Sequence, residues 1–302
     1  MQVNASSAHT MLIWVSDHDS EIVDKCHEFW NLENAGLESR DEEVLDDFTK
    51  SVKFDGHHYS VRLPFACDAS ILPDNFSMCK TRLNTLIHKL SSDPPVLKEY
   101  DSILRKWDED GTTEIVDRNM ETTGPVHYLP HLAVIKEERT TTKMRICMDA
   151  SAHRRGSPSL NEVLEAGKCM IPKLFNVLVR WRVWKYSLIS DIKSAFLQIR
   201  VDEKDRDYLR FLWVDDVTKE NPEIIAKRFT SVLFGLKSSP FILGATLTHH
   251  MNKYRDINEE FVEMFLRDLY MDDCTTGVND VETGFQYYLF VKSALLDAKF
   301  VL

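Results

Sequence analysis

The sequence predicts an α+β fold, with a mainly helical N-terminal region followed by an antiparallel sheet backed by helices, and three observations support that expectation. Apolar residues recur at helical spacing through the first hundred or so positions. After Gly124-Pro125 the pattern changes to short apolar runs bounded by turn residues and alternating with helical stretches. The length of 302 residues suits one large or two modest cores, because single cores stop growing near roughly 250–300 residues. The division is placed between residues 1–111 and 112–302.

The elements follow in order. Asp17 to Leu32 is predicted helical with Ile22, Cys26, Phe29 and Trp30 on one face, and Ser77 to Leu90 repeats the pattern with Cys79, Leu83, Leu86, Ile87 and Leu90. Between them, Val52–Leu63 predicts two short strands with Asp55-Gly56 suited to a tight turn. A helix over Val96–Trp107 follows Pro94-Pro95, uses Leu97, Tyr100, Ile103, Leu104 and Trp107 as its apolar stripe, and closes at Gly111. Strands are expected at Leu132–Ile135 and Lys143–Met148 across the polar tip Glu137–Thr142. A helix over Ile171–Trp184 leads to the apolar strand Tyr186–Ser190, which ends directly on Asp191, and Lys193–Gln198 turns back as a short helix. Leu209–Val214 and Ala226–Leu233 form a hairpin around Asp215–Pro222. Helices from Pro240 to about Tyr254 and over Ile257–Asp268 precede a strand-turn-strand at Leu269–Gly277, and Glu282–Leu296 is the last helix.

Composition narrows the class. No run of about 18 apolar residues is present to span a bilayer. Met1–Thr10 lacks a basic segment followed by an apolar one, so no signal peptide is expected and an intracellular, cytoplasmic setting follows. The six cysteines (Cys26, Cys67, Cys79, Cys147, Cys169 and Cys274) are scattered, without a CxxC pair or a histidine at zinc-ligand spacing. Free thiols are expected, not a disulfide framework or a zinc site. The net charge of -11 opposes nucleic-acid binding, which normally uses an excess of Lys and Arg on the binding face. Much of the acid lies in Glu38–Asp47 and Asp108–Asp110, where it reads as a solvated face.

Two placements of acid stand apart. Asp191 follows an apolar strand, and Asp272-Asp273 occupies the turn of Leu269-Tyr270-Met271-Asp272-Asp273-Cys274-Thr275. If the strands are neighbours, three carboxylates converge at one end of a sheet. Hard cations take oxygen ligands, and phosphoryl transfer is assisted by two such ions roughly 3.5–4 Å apart. The pairs Asp46-Asp47 and Asp215-Asp216, by contrast, sit in an acidic run and a hairpin loop and read as surface.

The region Tyr128 to Asp273 resembles the reverse transcriptase domain of BEL/Pao-type long-terminal-repeat retrotransposon polyproteins. The matching stretches are, in order, Tyr128-Leu129-Pro130-His131, Thr142-Lys143-Met144-Arg145 running to Asp149-Ala150-Ser151, Ser159-Leu160-Asn161, Asp191 with Phe196, Phe211-Leu212-Trp213, Phe234-Gly235-Leu236-Lys237-Ser238-Ser239-Pro240, and Tyr270-Met271-Asp272-Asp273. Upstream, Phe29-Trp30-Asn31-Leu32-Glu33 and Leu72-Pro73-Asp74-Asn75 fit the segment that links protease to polymerase in that family.

The resemblance implies an RNA-directed DNA polymerase with the fingers and palm of a right-hand fold over residues 112–302. Asp191, Asp272 and Asp273 would be the catalytic and metal-binding carboxylates, holding two Mg2+ ions or their Mn2+ substitutes. Arg145, with Lys143 or Lys136, would contact the incoming triphosphate, since guanidinium and ammonium groups suit phosphate oxygens. Phe196 would lie under the sugar and exclude a 2′-hydroxyl. Phe234 and Gly235 would stand at the nucleotide-binding turn, with Phe where retroviral enzymes have Gln. The implied partners are an RNA or DNA template with its primer and deoxynucleoside triphosphates, without a membrane, in virus-like particles among relatives. Lys143, Arg145, Arg154, Arg155, Lys168, Lys173, Arg180 and Lys237 are the basic residues available to the nucleic-acid backbone.

Elements of this type continue past Phe300-Val301-Leu302 into a primer grip, so the chain is expected to be a polyprotein fragment. The intact aspartates favour a polymerase. The missing clamp on the primer end favours the alternative for the chain in isolation, a non-catalytic retroelement remnant or domesticated interaction module.

Overall fold

The computed structural model describes residues 40–116, 124–135 and 144–302. The predicted helix Asp17–Leu32 and tip Glu137–Thr142 lie outside them. The chain divides into two units, Met1–Glu43 and Val44–Leu302. The second unit is α+β with small, mainly antiparallel sheets.

Residues 44–51 are helical (α1) and bury Phe48. Strands β1 (Lys53–Phe54) and β2 (Tyr59–Val61) pair antiparallel. Their connection is a four-residue loop, wider than a tight turn, in which the Asp55 carboxylate accepts the backbone N–H groups of His57 and His58 at 2.8 and 2.6 Å. Helix α2 (Phe76–Ser91) buries Cys79, Leu83, Leu86 and Leu90 at the spacing the sequence predicts. Helix α3 (Pro94–Glu109) opens with its proline pair after the N-cap Asp93, whose carboxylate accepts from Val96 N. It buries Tyr100 and Leu104, while its Asp101 accepts the indole N–H of Trp213 at 2.9 Å.

Three strands form the best-buried sheet. Strand β3 (Thr113–Ile115) pairs with β9 (Ile224–Phe229), which pairs with β8 (Arg210–Val214), all antiparallel. Every residue of β8 is buried. Buried cations on this sheet have partners: Lys227 reaches Asp108 at 2.6 Å, and Arg228 reaches Glu114 and Asp207 at 2.6 and 2.8 Å. The predicted strand Ala226–Leu233 leaves the sheet after Phe229, because Thr230 N donates to Thr112 O and Val232 N to Ile199 O.

Strands β4 (His131–Ile135) and β5 (Met144–Met148) make a separate hairpin. His131 Nε2 donates to Leu212 O at 2.8 Å and its Nδ1 accepts from Tyr100 O–H, which joins α3, β4 and β8 across position 111. Burial pushes its imidazole down to about 4. The division expected at 111 is bridged a second time where β2 pairs in parallel with β7 (Arg200–Val201).

Short helix α4 (Leu160–Val163) starts on a capping box of Ser159 and Glu162. Helix α5 (Leu174–Val183) then leads into β6 (Tyr186–Asp191). Helix α6 (Ser239–Met251) is followed by α7 (Arg255–Asp268), which kinks at Asn258, where the side chain accepts from Phe261 N and recaps the helix. Strands β10 (Leu269–Tyr270) and β11 (Asp273–Val278) and helix α8 (Val281–Leu296) complete the unit. One apolar core runs through these elements. The five described cysteines are free thiols, and Cys26 lies outside the described residues. Among the described residues no helix is long and apolar enough to cross a membrane.

Candidate active site

The site grows from one sheet of order β10-β11-β6. Strands β6 and β11 run antiparallel with Asp191 opposite Asp273, Ser190 opposite Cys274 and Ile189 opposite Thr275. Directly opposed residues hold their Cβ atoms about 4.5–5.5 Å apart, so the last residue of β6 and the first of β11 are nearest neighbours. Tyr270 pairs with Asp273, which leaves Met271 and Asp272 as a two-residue turn. Met271 has φ 61, the left-handed conformation that hairpin turns of this length require and glycine adopts most easily. For a methionine it costs roughly 1–2 kcal/mol. The Ile192 N–H donates to Asp272 O at 2.9 Å and ties the turn to the chain leaving β6. Asp191, Asp272 and Asp273 thus share one end of this sheet.

Their electrostatics are unusual. Asp191 and Asp273 are exposed and Asp272 is half-buried. Among the described residues, no cation or N–H pairs with any of the three side chains. Partial burial, then the negative charges of Asp272 and Asp191, hold the Asp273 carboxyl above its ordinary range. The other Asp-Asp pairs differ. Asp215 binds Lys219 and accepts from the backbone of Asp216 and Glu223, Asp216 accepts from Thr218, and Asp47 faces Lys50 at 4.0 Å. Three unneutralised carboxylates are a donor set that could hold hard divalent cations. They converge without being closed around a common point among the described residues.

Of the remaining predicted residues, Phe196, Phe234 and Gly235 meet at a second feature, the turn from Phe234 to Lys237. Gly235 has φ +102, and a Cβ there would stand 2.9 Å from Met148 O, so the turn is pressed against the end of β5. On that strand Arg145 is exposed, opposite Val134 of β4. Lys143 and Lys136 lie outside the described residues. Phe196 sits in a single 3-10 turn, Ala195–Gln198, just after Asp191. It is 1% exposed, and its ring meets that of Phe234 edge-on at 4.4 Å between centroids. Phe234 itself is 58% exposed, so it is the outward ring of the pair. Arg180 binds Asp268, and the Lys237 ammonium donates to Leu164 O, which commits both to the fold. Arg154, Arg155 and Lys173 are exposed.

Sequence patterns do not single out one further residue at this turn. Asn161 belongs to a short motif, yet its amide Nδ2 donates to Gly235 O and Ser151 Oγ at 2.9 Å each, and its Oδ1 accepts from Lys237 N at 2.8 Å. The capping box of Ser159 and Glu162 marks the start of α4, but nothing local tells where the side chain between them reaches. Compared with models of protein families and with curated proteins, the chain matches none.

Proposed function

We propose that this chain is the fingers-and-palm portion of a BEL/Pao-type reverse transcriptase and that Asp191, Asp272 and Asp273 are its catalytic carboxylates. The observation that carries the reading is the register of Asp191 against Asp273, with Asp272 in the adjoining turn and all three without a neutralising partner among the described residues. In the reaction, the 3′-hydroxyl of a primer attacks the α-phosphate of a deoxynucleoside triphosphate, a P–O bond forms, and pyrophosphate leaves. Two magnesium ions on these aspartates would neutralise phosphate oxygens and make the 3′-hydroxyl a better nucleophile. Everything else is positioning. Arg145 on β5 presents a guanidinium to the triphosphate. Phe234, the exposed member of an aromatic pair with buried Phe196, is suited to packing against a sugar that lacks a 2′-hydroxyl.

The test is primer extension on an RNA template with deoxynucleotides and Mg2+ or Mn2+. Extension by the native chain that falls by about a thousandfold or more in Asp272→Asn supports the reading. Activity only in a version lengthened through a primer grip also supports it, and silence of both versions with both metals overturns it. That outcome would favour a binding module, a reading helped by the net charge of -11 and by the apolar side chains Phe175, Val183 and Ile189, which are 75%, 71% and 67% exposed.

A further inference from the structure

We infer that Asn161 is a positioning residue for nucleotide selection, acting through the Phe234–Lys237 turn; this rests on the polymerase reading. A primary amide has two N–H donors and one carbonyl acceptor, and Asn161 spends all three on neighbours: both donors on Gly235 O and Ser151 Oγ, the acceptor on Lys237 N. Gripping residues 235 and 237 from one side chain fixes the turn on either side of Leu236. Leu236 between them is buried, and Gly235 is held against Met148 O. With these anchors, the turn has one free end, and Phe234 is on it.

The exposure of Phe234 sets its role. Its ring covers Phe196 and shows its own outer surface to solvent. Phe196 lies in the turn that begins four residues after Asp191, so the Phe234 ring packs on the segment that leaves the carboxylate-bearing strand. An aromatic wall there favours a deoxyribose and crowds a 2′-hydroxyl, provided that the wall does not give. Asn161 supplies that stiffness without touching nucleotide or metal. The buried Phe196 acts as the floor on which the wall rests.

Asn161→Ala removes all three bonds and lets the turn loosen. The expected result is a KM for deoxynucleotides raised about tenfold with kcat within about threefold, and a comparable loss of discrimination against ribonucleotides. Phe234→Ala should give the same phenotype, and the double variant should be no worse than Phe234→Ala alone, because both act through one wall. Amide exchange at Lys237, whose N–H loses its acceptor, should quicken in Asn161→Ala whether or not the protein is active. An active native chain whose Asn161→Ala variant keeps KM and discrimination, or combines additively with Phe234→Ala, overturns the inference and leaves the polymerase reading intact. Silence in extension of both the native chain and the version lengthened through a primer grip overturns both, even where the exchange measurement shows the clamp itself to be real.

Discussion

Asp268 and Asp273 stand at the two ends of one short hairpin and live in opposite circumstances. Asp268 is buried and accepts from Arg180, Arg267 and Thr276 at 2.7–3.0 Å. Burial alone would raise its carboxyl, but hydrogen bonds from Arg267 and Thr276, with the charges around them, hold it below the ordinary range. Asp273 is exposed, lacks such partners among the described residues, and is raised by partial burial and by its two acidic neighbours. Folding normally pairs the charges it gathers. The sheet satisfies the acid at one end and leaves three carboxylates without partners among the described residues at the other, and on the proposed polymerase reading that second end is where a cation would bind.

Substitution, pH and added metal should each separate the two classes of buried or gathered charge. The largest effect belongs to the satisfied class. His131 is buried, and burial pushes its pKa down to about 4 against 6.5 in the unfolded chain. The unfolded state therefore binds the proton first, and stability falls as pH drops from 6.5 toward 4, by up to about 3 kcal/mol. Urea unfolding across that window should show the fall, and His131→Gln should flatten it. Next, Asp268→Ala leaves two guanidinium groups without their acceptor. A loss of about 2–3 kcal/mol is expected, below the range for a wholly buried pair because Arg180 and Arg267 reach solvent.

The bare cluster should behave in the opposite way. Millimolar Mg2+ should raise the melting temperature of the native chain, since a ligand that binds only the folded state stabilises it. Asp272→Asn should lose most of that rise. A rise of equal size in the variant would place the cation elsewhere. The smallest effect is a pH slope. A carboxyl whose folded pKa is raised keeps its proton longer when folded, so its contribution to stability is lost as pH climbs from the ordinary aspartate value to the raised one. Native protein should lose a little more stability than Asp273→Asn as pH rises just above about 4. Asp268 has the reverse sign, its stabilisation disappearing as pH falls below the ordinary aspartate range.

Local patterns explain what was legible in the sequence. The stripes of α2 and α3 were readable because burial on one face repeats every three or four residues. The strand-turn-strand around Asp272-Asp273 was readable because apolar runs flank a turn that must be tight. Strands β3 and β7 escaped notice because two or three residues hold no period. Each exists only through a partner far along the chain, Phe229 to Lys227 for β3 and β2 for β7. Phe196 was legible as a bulky residue after Asp191, but not as the covered member of a pair, since Phe234 is distant in sequence. Asn161 was legible as part of a matching stretch but its reach was not, for the same reason: one amide bridges three segments that meet only after folding.

The hydrogen bond from Ile192 N to Asp272 O makes the two halves of the site mechanically continuous. Any pull on the Asp272 turn is felt by the backbone that leaves Asp191, and a few residues later that backbone carries Phe196. On the proposed polymerase reading, loading the carboxylates and seating the aromatic floor would be linked through this one backbone contact. An enzyme built this way would check its metal and its sugar in a single motion, so a poorly fitting nucleotide would loosen the grip on the cation as well.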